Sequence, residues 1–292
     1  MATGFRSADA STSPRKTEHN GASSDRVRVG VVGLNFGRRL IEKHVIGGDA
    51  GRYIEVAGVT SLVPEQTREV ASAWDTTAYP SFEAMLADSR IEAVGLWTGP
   101  VGRAALVQQC IDAGKHVLTT KPFDLDADAA EEVLRRAREE RIVVHANSPS
   151  ALPAPAILQI ERWRRERDLG RVVGARRESY DSYHEQADDS WKDDPEQCPV
   201  APRFRLGIYG INDLLRLFNR AEQVQVMGTR LRTGRPTADN AVLNIQFAGG
   251  AIASLFHSFC IRDGQAHAVE MKVFFERGSV RDRMERSEAG AS

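Results

Sequence analysis

Residues 27–37 read VRVGVVGLNFG, and this stretch decides how the chain folds. The valines within 27–32 form a short, β-branched apolar run, which predicts a buried strand. A turn from Gly33 to Gly37 follows, and the apolar residues after it have the spacing of an amphipathic helix. A strand, a glycine turn and a helix start bring backbone N–H groups and the positive end of a helix dipole to one point, where a pyrophosphate can bind.

This glycine turn departs from the usual dinucleotide-binding pattern G-x-G-x-x-G. Asn35 occupies the second glycine position, and the last glycine, Gly37, comes one residue early. Asparagine tolerates positive φ better than other non-glycine residues, so we expect the turn to form with Asn35 in that conformation. Taken alone, the motif fits a dinucleotide-binding loop and an ordinary strand–helix turn equally well.

Strands and helices alternate from this turn to residue 146. Further strands are predicted at 53–60, 93–97, 115–119 and 142–146, and helices at 64–74, 81–87, 103–113 and 124–141. We expect the last of these strands, 142–146, to be buried like the others. The alternation predicts an α/β domain with a doubly wound parallel sheet, a Rossmann domain.

The pattern changes after residue 148. Helices are predicted at 153–166 and 208–218, and strands at 172–180, 224–229, 241–247, 251–259 and 269–275. Residues 241–247 alternate between apolar and polar, and Gly249-Gly250 predicts a hairpin turn after them. This part is α+β with an open, mainly antiparallel sheet. We therefore divide the chain into a disordered leader (1–26), a dinucleotide-binding Rossmann domain (27–148) and an α+β substrate and oligomerisation domain (149–292).

Composition excludes several classes of function. The formal net charge of −1 gives no general attraction to nucleic acid or to an acidic membrane. No apolar run has the length of a membrane span, and the first residues lack the apolar core of a secretory signal. The three cysteines are scattered, which indicates reduced thiols in the cytoplasm and no metal site.

The end of the second strand bears on the choice between NAD and NADP. In a dinucleotide-binding fold this point faces the adenosine ribose, and an acid there selects NAD. Here the chain has Ser61 and Leu62, with no acid and no arginine immediately beside them. We expect NAD or NADP as cofactor, and the missing acid favours NADP.

Four stretches together resemble one family. They are VGVVGLNFG (29–37), AGKHVLTTKP (113–122), LGRV (169–172) and GIYGINDLL (207–215), and they follow the order in which the glucose–fructose oxidoreductase, inositol dehydrogenase and MocA (Gfo/Idh/MocA) family has them. The resemblance implies reversible hydride transfer between a nicotinamide and a hydroxyl-bearing carbon of a sugar, cyclitol or related polyol. It also implies a homodimer or homotetramer formed through the C-terminal sheet.

The family's lysine in the motif E-K-P matches Lys121, which the resemblance makes the general acid/base. Burial beside a positive nicotinamide ring lowers the pKa of a lysine towards working pH. Thr120 replaces the glutamate of the motif, so the carboxylate that would orient the lysine is missing. The alternative, a surface lysine after a strand, is less favoured, because ligands of open α/β sheets bind where parallel strands end.

A second family motif, D-x-G-x-H-x-x-D, aligns with residues 205–212. Arg205 replaces the first acid and Tyr209 the histidine, and Asn212 replaces the last acid, with Asp213 next to it. Tyr209 is either a catalytic hydroxyl or a half-buried tyrosine with a satisfied hydroxyl. Arg205 either binds an anionic group of the substrate or makes a structural ion pair.

The motifs and the resemblance together predict the following site. The catalytic residues are Lys121 and Tyr209; the substrate-binding residues are Asn147, Arg205, Asn212 and Asp213; the cofactor-binding residues are Gly33, Leu34, Asn35, Phe36, Gly37, Ser61, Thr98, Gly99, Pro100, Thr120 and Lys121. Trp191 and Tyr183 are further candidates for a wall of the sugar site, and His184 for an approach to it.

Two alternatives remain open. The replaced residues Asn35, Thr120, Tyr209 and Asn212 also fit a catalytically weakened or inactive dinucleotide-binding sensor of the same fold. In addition, the family continues with further strands after the turn at 277–279, whereas the tail 281–292 is polar and short. We therefore expect a C-terminally shortened sheet with an exposed edge.

Overall fold

The computed structural model describes residues 26–181 and 186–287. Two six-stranded sheets organise these residues. The first sheet has the order β3-β2-β1-β4-β5-β6, and all its paired strands are parallel. Its strands are β1 (Val27–Val32), β2 (Ile54–Thr60), β3 (Thr77–Ala78), β4 (Ala93–Leu96), β5 (His116–Thr119) and β6 (Val144–Ala146).

Helices cover both faces of this sheet, which confirms the doubly wound arrangement. They are α1 (Phe36–Ile41), α2 (Pro64–Ala73), α3 (Phe82–Leu86), α4 (Arg103–Asp112) and α5 (Ala127–Glu139). Consecutive valines of β1 point to opposite faces: Val31 packs in the core with residues of α1 and α2, and Val32 in the core with residues of α3, α4 and α5. Helix α1 continues into a π-helical turn, Glu42–Ile46.

Side-chain caps define the starts of two of these helices. Ser81 accepts a hydrogen bond from the Ala84 N–H at 3.2 Å, and Asp126 accepts one from the Ala129 N–H at 3.0 Å. Both are the expected N-cap arrangement, in which a side-chain oxygen satisfies an otherwise unpaired N–H of the first turn.

The predicted burial of residues 142–146 is wrong. Strand β6 is the edge of the sheet, and its residues are half-buried or exposed; Val143, just before it, is 59% exposed. An apolar run cannot distinguish an edge strand from a central one, because the number of neighbouring strands follows from topology.

The second sheet is mixed, with the order β12-β11-β7-β10-β9-β8. Only the β7–β10 pair is parallel among the pairs of the described strands, so the sheet is mainly antiparallel, as predicted. Its strands are β7 (Val172–Asp181), β8 (Ala221–Thr229), β9 (Asn240–Phe247), β10 (Ile252–Ser258), β11 (Gln265–Phe275) and β12 (Gly278–Ser287). Helices α6 (Pro155–Glu166) and α7 (Ile208–Phe218) pack on one face and share a core with it.

Strand β12 was not predicted, because its sequence is polar. It pairs along its length with β11 and forms an edge of the sheet, where an outward-facing polar side chain costs no burial. Residues 1–25 of the predicted leader lie outside the described residues, as do the last five residues of the tail. Within the described ranges, no helix has the length and apolar character that crossing a membrane requires.

Candidate active site

The strands of the first sheet are parallel, so the residues that follow them lie along one edge. This carboxyl edge contains the glycine turn 33–37 after β1, Ser61 after β2, 98–100 after β4, 120–121 after β5 and Asn147 after β6. The strand order reverses between β1 and β4, which opens a crevice at that point of the edge. Every residue predicted to bind the cofactor therefore lies at the edge where doubly wound sheets bind ligands.

The glycine turn packs against the residues that follow β4. Gly33 has φ +87°, and a Cβ atom on it would lie 2.7 Å from the backbone oxygen of Trp97. A Cβ atom on Gly37 would lie 2.9 Å from the Trp97 ring. Asn35 has φ −80°, so the expected positive φ at this residue is wrong. The turn needs the left-handed conformation only at Gly33, and Asn35 begins the helix in the ordinary right-handed region.

The start of α1 suits an anionic group such as a pyrophosphate. Its first turn contains no acidic residue, and the Asn35 side chain makes no capping bond within the described chain. Instead the Asn35 amide oxygen accepts a hydrogen bond from Gln66 of α2 at 3.3 Å. The N–H groups of the first helical turn are therefore left for a ligand. Leu34 is 2% exposed and anchors the turn in the core, whereas Phe36 is exposed.

The side chain of Ser61 is engaged in a local turn. Its hydroxyl oxygen accepts from the Val63 N–H at 3.2 Å and lies 3.0 Å from the Thr67 hydroxyl.

Arg38 links helices α1 and α2, which follow β1 and β2. It pairs with Glu42 at 2.9 Å and with Glu69 of α2 at 3.1 Å.

Lys121 extends from the end of β5 towards the second sheet. Its Nζ donates to the backbone oxygen of Arg205 at 2.5 Å and lies 5.4 Å from the centre of the Tyr209 ring. Desolvation, followed by repulsion from the Arg205 guanidinium, lowers the pKa of Lys121 to about 8. At this pKa both the neutral amine and the ammonium are populated near neutral pH.

Tyr209 makes a second link between the two halves of the molecule. Its hydroxyl lies 2.5 Å from the hydroxyl of Ser148, just beyond the carboxyl edge at Asn147. Tyr209 therefore has a satisfied hydroxyl, and its ring flanks Lys121; its catalytic role stays a prediction.

Two glycines explain how the segment before and within α7 approaches the second sheet. A Cβ atom on Gly207 would lie 2.5 Å from the His257 ring, which is fully buried on β10. A Cβ atom on Gly210 would lie 2.5 Å from the buried Arg177 guanidinium on β7. The helix can lie this close to the sheet only because both positions lack a side chain.

The remaining predicted residues are less closely grouped. The Arg205 guanidinium lies 5.0 Å from the centre of the Phe259 ring. Asp213 is half-buried; desolvation raises its pKa, and Arg177 and Arg216 act against this rise. The Asn147 N–H donates to the Thr119 oxygen at 2.8 Å. Among the described residues, no side-chain hydrogen bond joins Asn147 or Asn212 to Lys121.

Of the aromatic candidates, Trp191 lies beside the carboxyl edge, where a Cβ atom on Gly99 would be 3.9 Å from its ring. It also packs against the small core that contains Cys198 and Phe259. Tyr183 and His184 lie outside the described residues.

The sequence interpretation missed a buried acid near Lys121. Asp181, the last residue of β7, is directly opposite His267 of β11, and its carboxylate shares a short hydrogen bond with Nδ1 of that histidine. Desolvation lowers the pKa of Lys121, and the negative charge of the Asp181 carboxylate raises it in part. No sequence signal joins these residues, because the pairing depends on the register between β7 and β11.

Comparison with known proteins assigns both parts of the chain. Residues 27–148 match the family model of the Gfo/Idh/MocA oxidoreductases with an NAD-binding Rossmann fold, and residues 157–281 match the model of a C-terminal domain of that family.

Similar proteins come from several bacteria. The chain is 27% identical over 251 residues to UDP-N-acetylglucosamine 3-dehydrogenase of Acidithiobacillus ferrooxidans, a match that covers 86% of this chain and 72% of that protein. It is 23% identical over 224 residues to scyllo-inositol 2-dehydrogenase (NADP(+)) of Bacillus subtilis, covering 76% of this chain and 60% of that one.

A solved structure shows the same fold. The inositol dehydrogenase homologue of Azotobacter vinelandii, complexed with NAD+, superposes with a TM-score of 0.75 at 18% identity, covering 92% of this chain and 75% of that chain. With both family models matched in order and the lysine at the end of β5, the chain belongs to the Gfo/Idh/MocA family of oxidoreductases.

Proposed function

We propose that the protein transfers a hydride between NAD or NADP and a hydroxyl-bearing carbon of a sugar, cyclitol or related polyol. One observation carries the proposal: a partly buried amine, Lys121, with a pKa of about 8, lies at the end of a parallel strand, against the residues that lead into α7. The dehydrogenase names of the sugar and inositol relatives support the substrate class.

The bound nicotinamide supplies the hydride acceptor or donor. The glycine turn 33–37 binds the pyrophosphate through the N–H groups that begin α1. Ser61 would lie beside the adenosine ribose, and the residues that would hold the nicotinamide are Thr98, Gly99, Pro100 and Thr120. These roles rest on the position of each residue after a parallel strand.

Lys121 exchanges a proton with the substrate oxygen. In the direction of oxidation the neutral amine accepts the hydroxyl proton, and in the direction of reduction the ammonium returns it. Because the pKa of Lys121 is about 8, both forms are populated near neutral pH. Each direction of the reaction therefore finds part of the enzyme in the protonation state that it requires.

Tyr209 orients the substrate hydroxyl beside Lys121, supported by Ser148. Asn147, Arg205, Asn212 and Asp213 form the outer part of the substrate site. Arg205 serves it in two ways, through the backbone oxygen that accepts from Lys121 and through a guanidinium that favours a substrate with an anionic group.

NADP is the favoured cofactor, because no acid follows β2 to repel a 2′-phosphate. Arg38 is the cation best placed between α1 and α2, but it is engaged by Glu42 and Glu69. Replacing Glu69 by glutamine removes one of these competing charges. We expect the ratio of NADPH to NADH affinity to rise in Glu69→Gln and to stay unchanged in Glu65→Gln, whose partner is Arg68.

The experiment that tests the function is a titration followed by turnover. NADH and NADPH are titrated by fluorescence, and oxidation is then measured over a panel of sugars and cyclitols with Lys121→Ala as control. We expect binding by both proteins and turnover by the wild type alone. Nucleotide binding by the wild type without turnover of any substrate favours the alternative of an inactive sensor.

We propose that the two parts of the chain are a cofactor domain, 27–148, and a substrate and oligomerisation domain, 149–292, and that the second sheet pairs with a second copy of the chain. The sheet face opposite α6 and α7 carries apolar side chains, among them the exposed Met227 and Ile252. Light scattering should give the mass of a dimer or tetramer, and Ile252→Lys should lower it.

A further inference from the structure

A buried arginine, Arg103, contacts the backbone on both sides of Lys121. Arg103 is the first residue of α4 and is 1% exposed. One terminal nitrogen, Nη1, donates to the backbone oxygen of Thr120 at 2.6 Å and also to that of Pro122. These two carbonyl groups belong to the residues immediately before and after Lys121.

The other terminal nitrogen of Arg103 binds the neighbouring strand end. Nη2 donates to the backbone oxygen of Gly99 at 3.1 Å and also to that of Thr98. One guanidinium therefore joins the ends of β4 and β5 at the carboxyl edge of the sheet. Carbonyl groups beyond the end of a strand have no ladder partner, and buried carbonyls without a partner are costly, so these four bonds fix both segments.

The shape of the guanidinium matters here. Its nitrogens are held in a rigid plane, so two of them can reach two carbonyl pairs at once. A lysine at this position has a single ammonium on a flexible stem and cannot bridge both pairs. Bridging the two pairs of carbonyls therefore depends on the geometry of arginine and not on its charge alone.

We propose that Arg103 is a positioning residue for Lys121: it fixes the backbone before and after the lysine and so directs the amine towards the Arg205 carbonyl. The catalytic meaning of this position rests on the proposed function. The position and environment of the Lys121 amine can, however, be measured without turnover. Without Arg103 the segment 120–122 loosens, water reaches the amine, and the lysine loses the environment that lowers its pKa.

The chain offers a matched control in Lys115. This lysine is 8% exposed and donates to the backbone oxygens of Asp88 at 2.9 Å and Ile91 at 2.7 Å. It thus ties the residue before β5 to two backbone carbonyls of the segment before β4, at the amino ends of these strands and away from Lys121. Its loss destabilises the domain without a reason to alter the active-site amine.

The test measures the pKa of Lys121 by NMR after reductive methylation with ¹³C-formaldehyde, the resonance being assigned by its loss in Lys121→Arg. We expect a value near 8 in the wild type and in Lys115→Met. In Arg103→Met and Arg103→Lys we expect a rise of about 1 unit or more towards the value of an exposed lysine. In Arg103→Ala, millimolar guanidinium should move the pKa back towards that of the wild type, and sodium chloride should not.

A folded Arg103→Met whose Lys121 pKa remains near 8, or an equal rise in Lys115→Met, overturns the proposal. If the Arg103 variants do not fold, ¹⁵N NMR of the wild type decides: four carbonyl partners predict slowly exchanging, separately resolved Nη–H signals of Arg103, and a freely rotating guanidinium contradicts them.

Turnover is measured as a separate experiment. We expect kcat to be about 100-fold lower in Arg103→Met and to be recovered in part by guanidinium in Arg103→Ala. A wild type that turns over no substrate refutes the proposed function, while the pKa comparison still decides the role of Arg103.

Discussion

The amine of Lys121 donates a 2.5 Å hydrogen bond to the backbone carbonyl of Arg205 and so joins the end of β5 to the residues that lead into α7. One partner belongs to the sheet whose edge suits the dinucleotide, and the other to the segment that carries Tyr209. This bond places a titratable amine between the two halves of the site, and its environment lowers the pKa of that amine to about 8. The activity proposed above depends on this relationship.

The rate should depend on pH through Lys121. Oxidation requires the neutral amine, so kcat/KM for the alcohol should rise with pH, with a midpoint near 8, and level off above it. Reduction requires the ammonium and should fall over the same range. Steady-state rates from pH 6 to 10 in both directions check this, and a profile that is flat between pH 7 and 9 contradicts it.

Removing the charge of Asp181 should shift that profile. The Asp181 carboxylate raises the pKa of Lys121, so Asp181→Asn should move the midpoint to lower pH, by roughly 1 unit. Glu178→Gln is the matched control, because Glu178 is on the same strand but its side chain is on the other face of the sheet. A midpoint that moves equally in both variants refutes a specific role for Asp181.

The hydroxyl of Tyr209 should matter more for turnover than for folding. Tyr209→Phe keeps the ring beside Lys121 and removes the hydrogen bond to Ser148. We expect kcat to fall about tenfold, the equivalent of one hydrogen bond of roughly 1.4 kcal/mol in the transition state. Ser148→Ala, measured in parallel, separates the contribution of the partner. An unchanged kcat with a lower melting temperature would assign Tyr209 a structural role only.

We expect Lys121 to lower the free energy of unfolding of the protein at neutral pH. Its pKa is about 8 in the folded chain and 10.5 as the ordinary value, so between these values the unfolded chain binds more protons, and wild-type stability rises with pH there. Lys121→Met should therefore raise the free energy of unfolding at pH 7 by about 1–3 kcal/mol, and the gain should diminish as the pH approaches 10. Urea unfolding at pH 7 and 10 measures the difference, and a variant less stable than the wild type at pH 7 contradicts it.

Much of the fold could be predicted from the sequence, because the first half repeats one unit. Its predicted strands are short apolar runs, its helices have their own period, and two of them begin at a capping side chain, Ser81 and Asp126. The two features that were not predicted depend on neighbouring strands. The exposure of β6 follows from its place at the sheet edge, and the polar segment of β12 forms a strand because it pairs with β11. Neither fact is written in the local sequence.

The site divides in the same way. Lys121, Tyr209 and the glycine turn could be located, because their motifs are local and each follows a strand or begins a helix. The conformation of Asn35 could not be predicted, since α1 begins at Phe36, inside the predicted turn 33–37, and Asn35 already has right-handed dihedral angles. Asp181 and Arg103 could not be found either. The partner of Asp181 lies 86 residues away along the chain, and the carbonyls around Lys121 lie 17 and 19 residues from Arg103, so they meet only in the folded sheets.

The most direct test of the account is the transfer step itself, with Lys121→Met against the wild type. Both proteins are saturated with NADPH or NADH, mixed with keto-sugars and keto-cyclitols, and followed by the loss of nicotinamide absorbance in a single turnover. The account predicts equal nucleotide affinity and a transfer rate roughly 100-fold to 10,000-fold lower in the variant. A transfer rate in Lys121→Met equal to that of the wild type would contradict it.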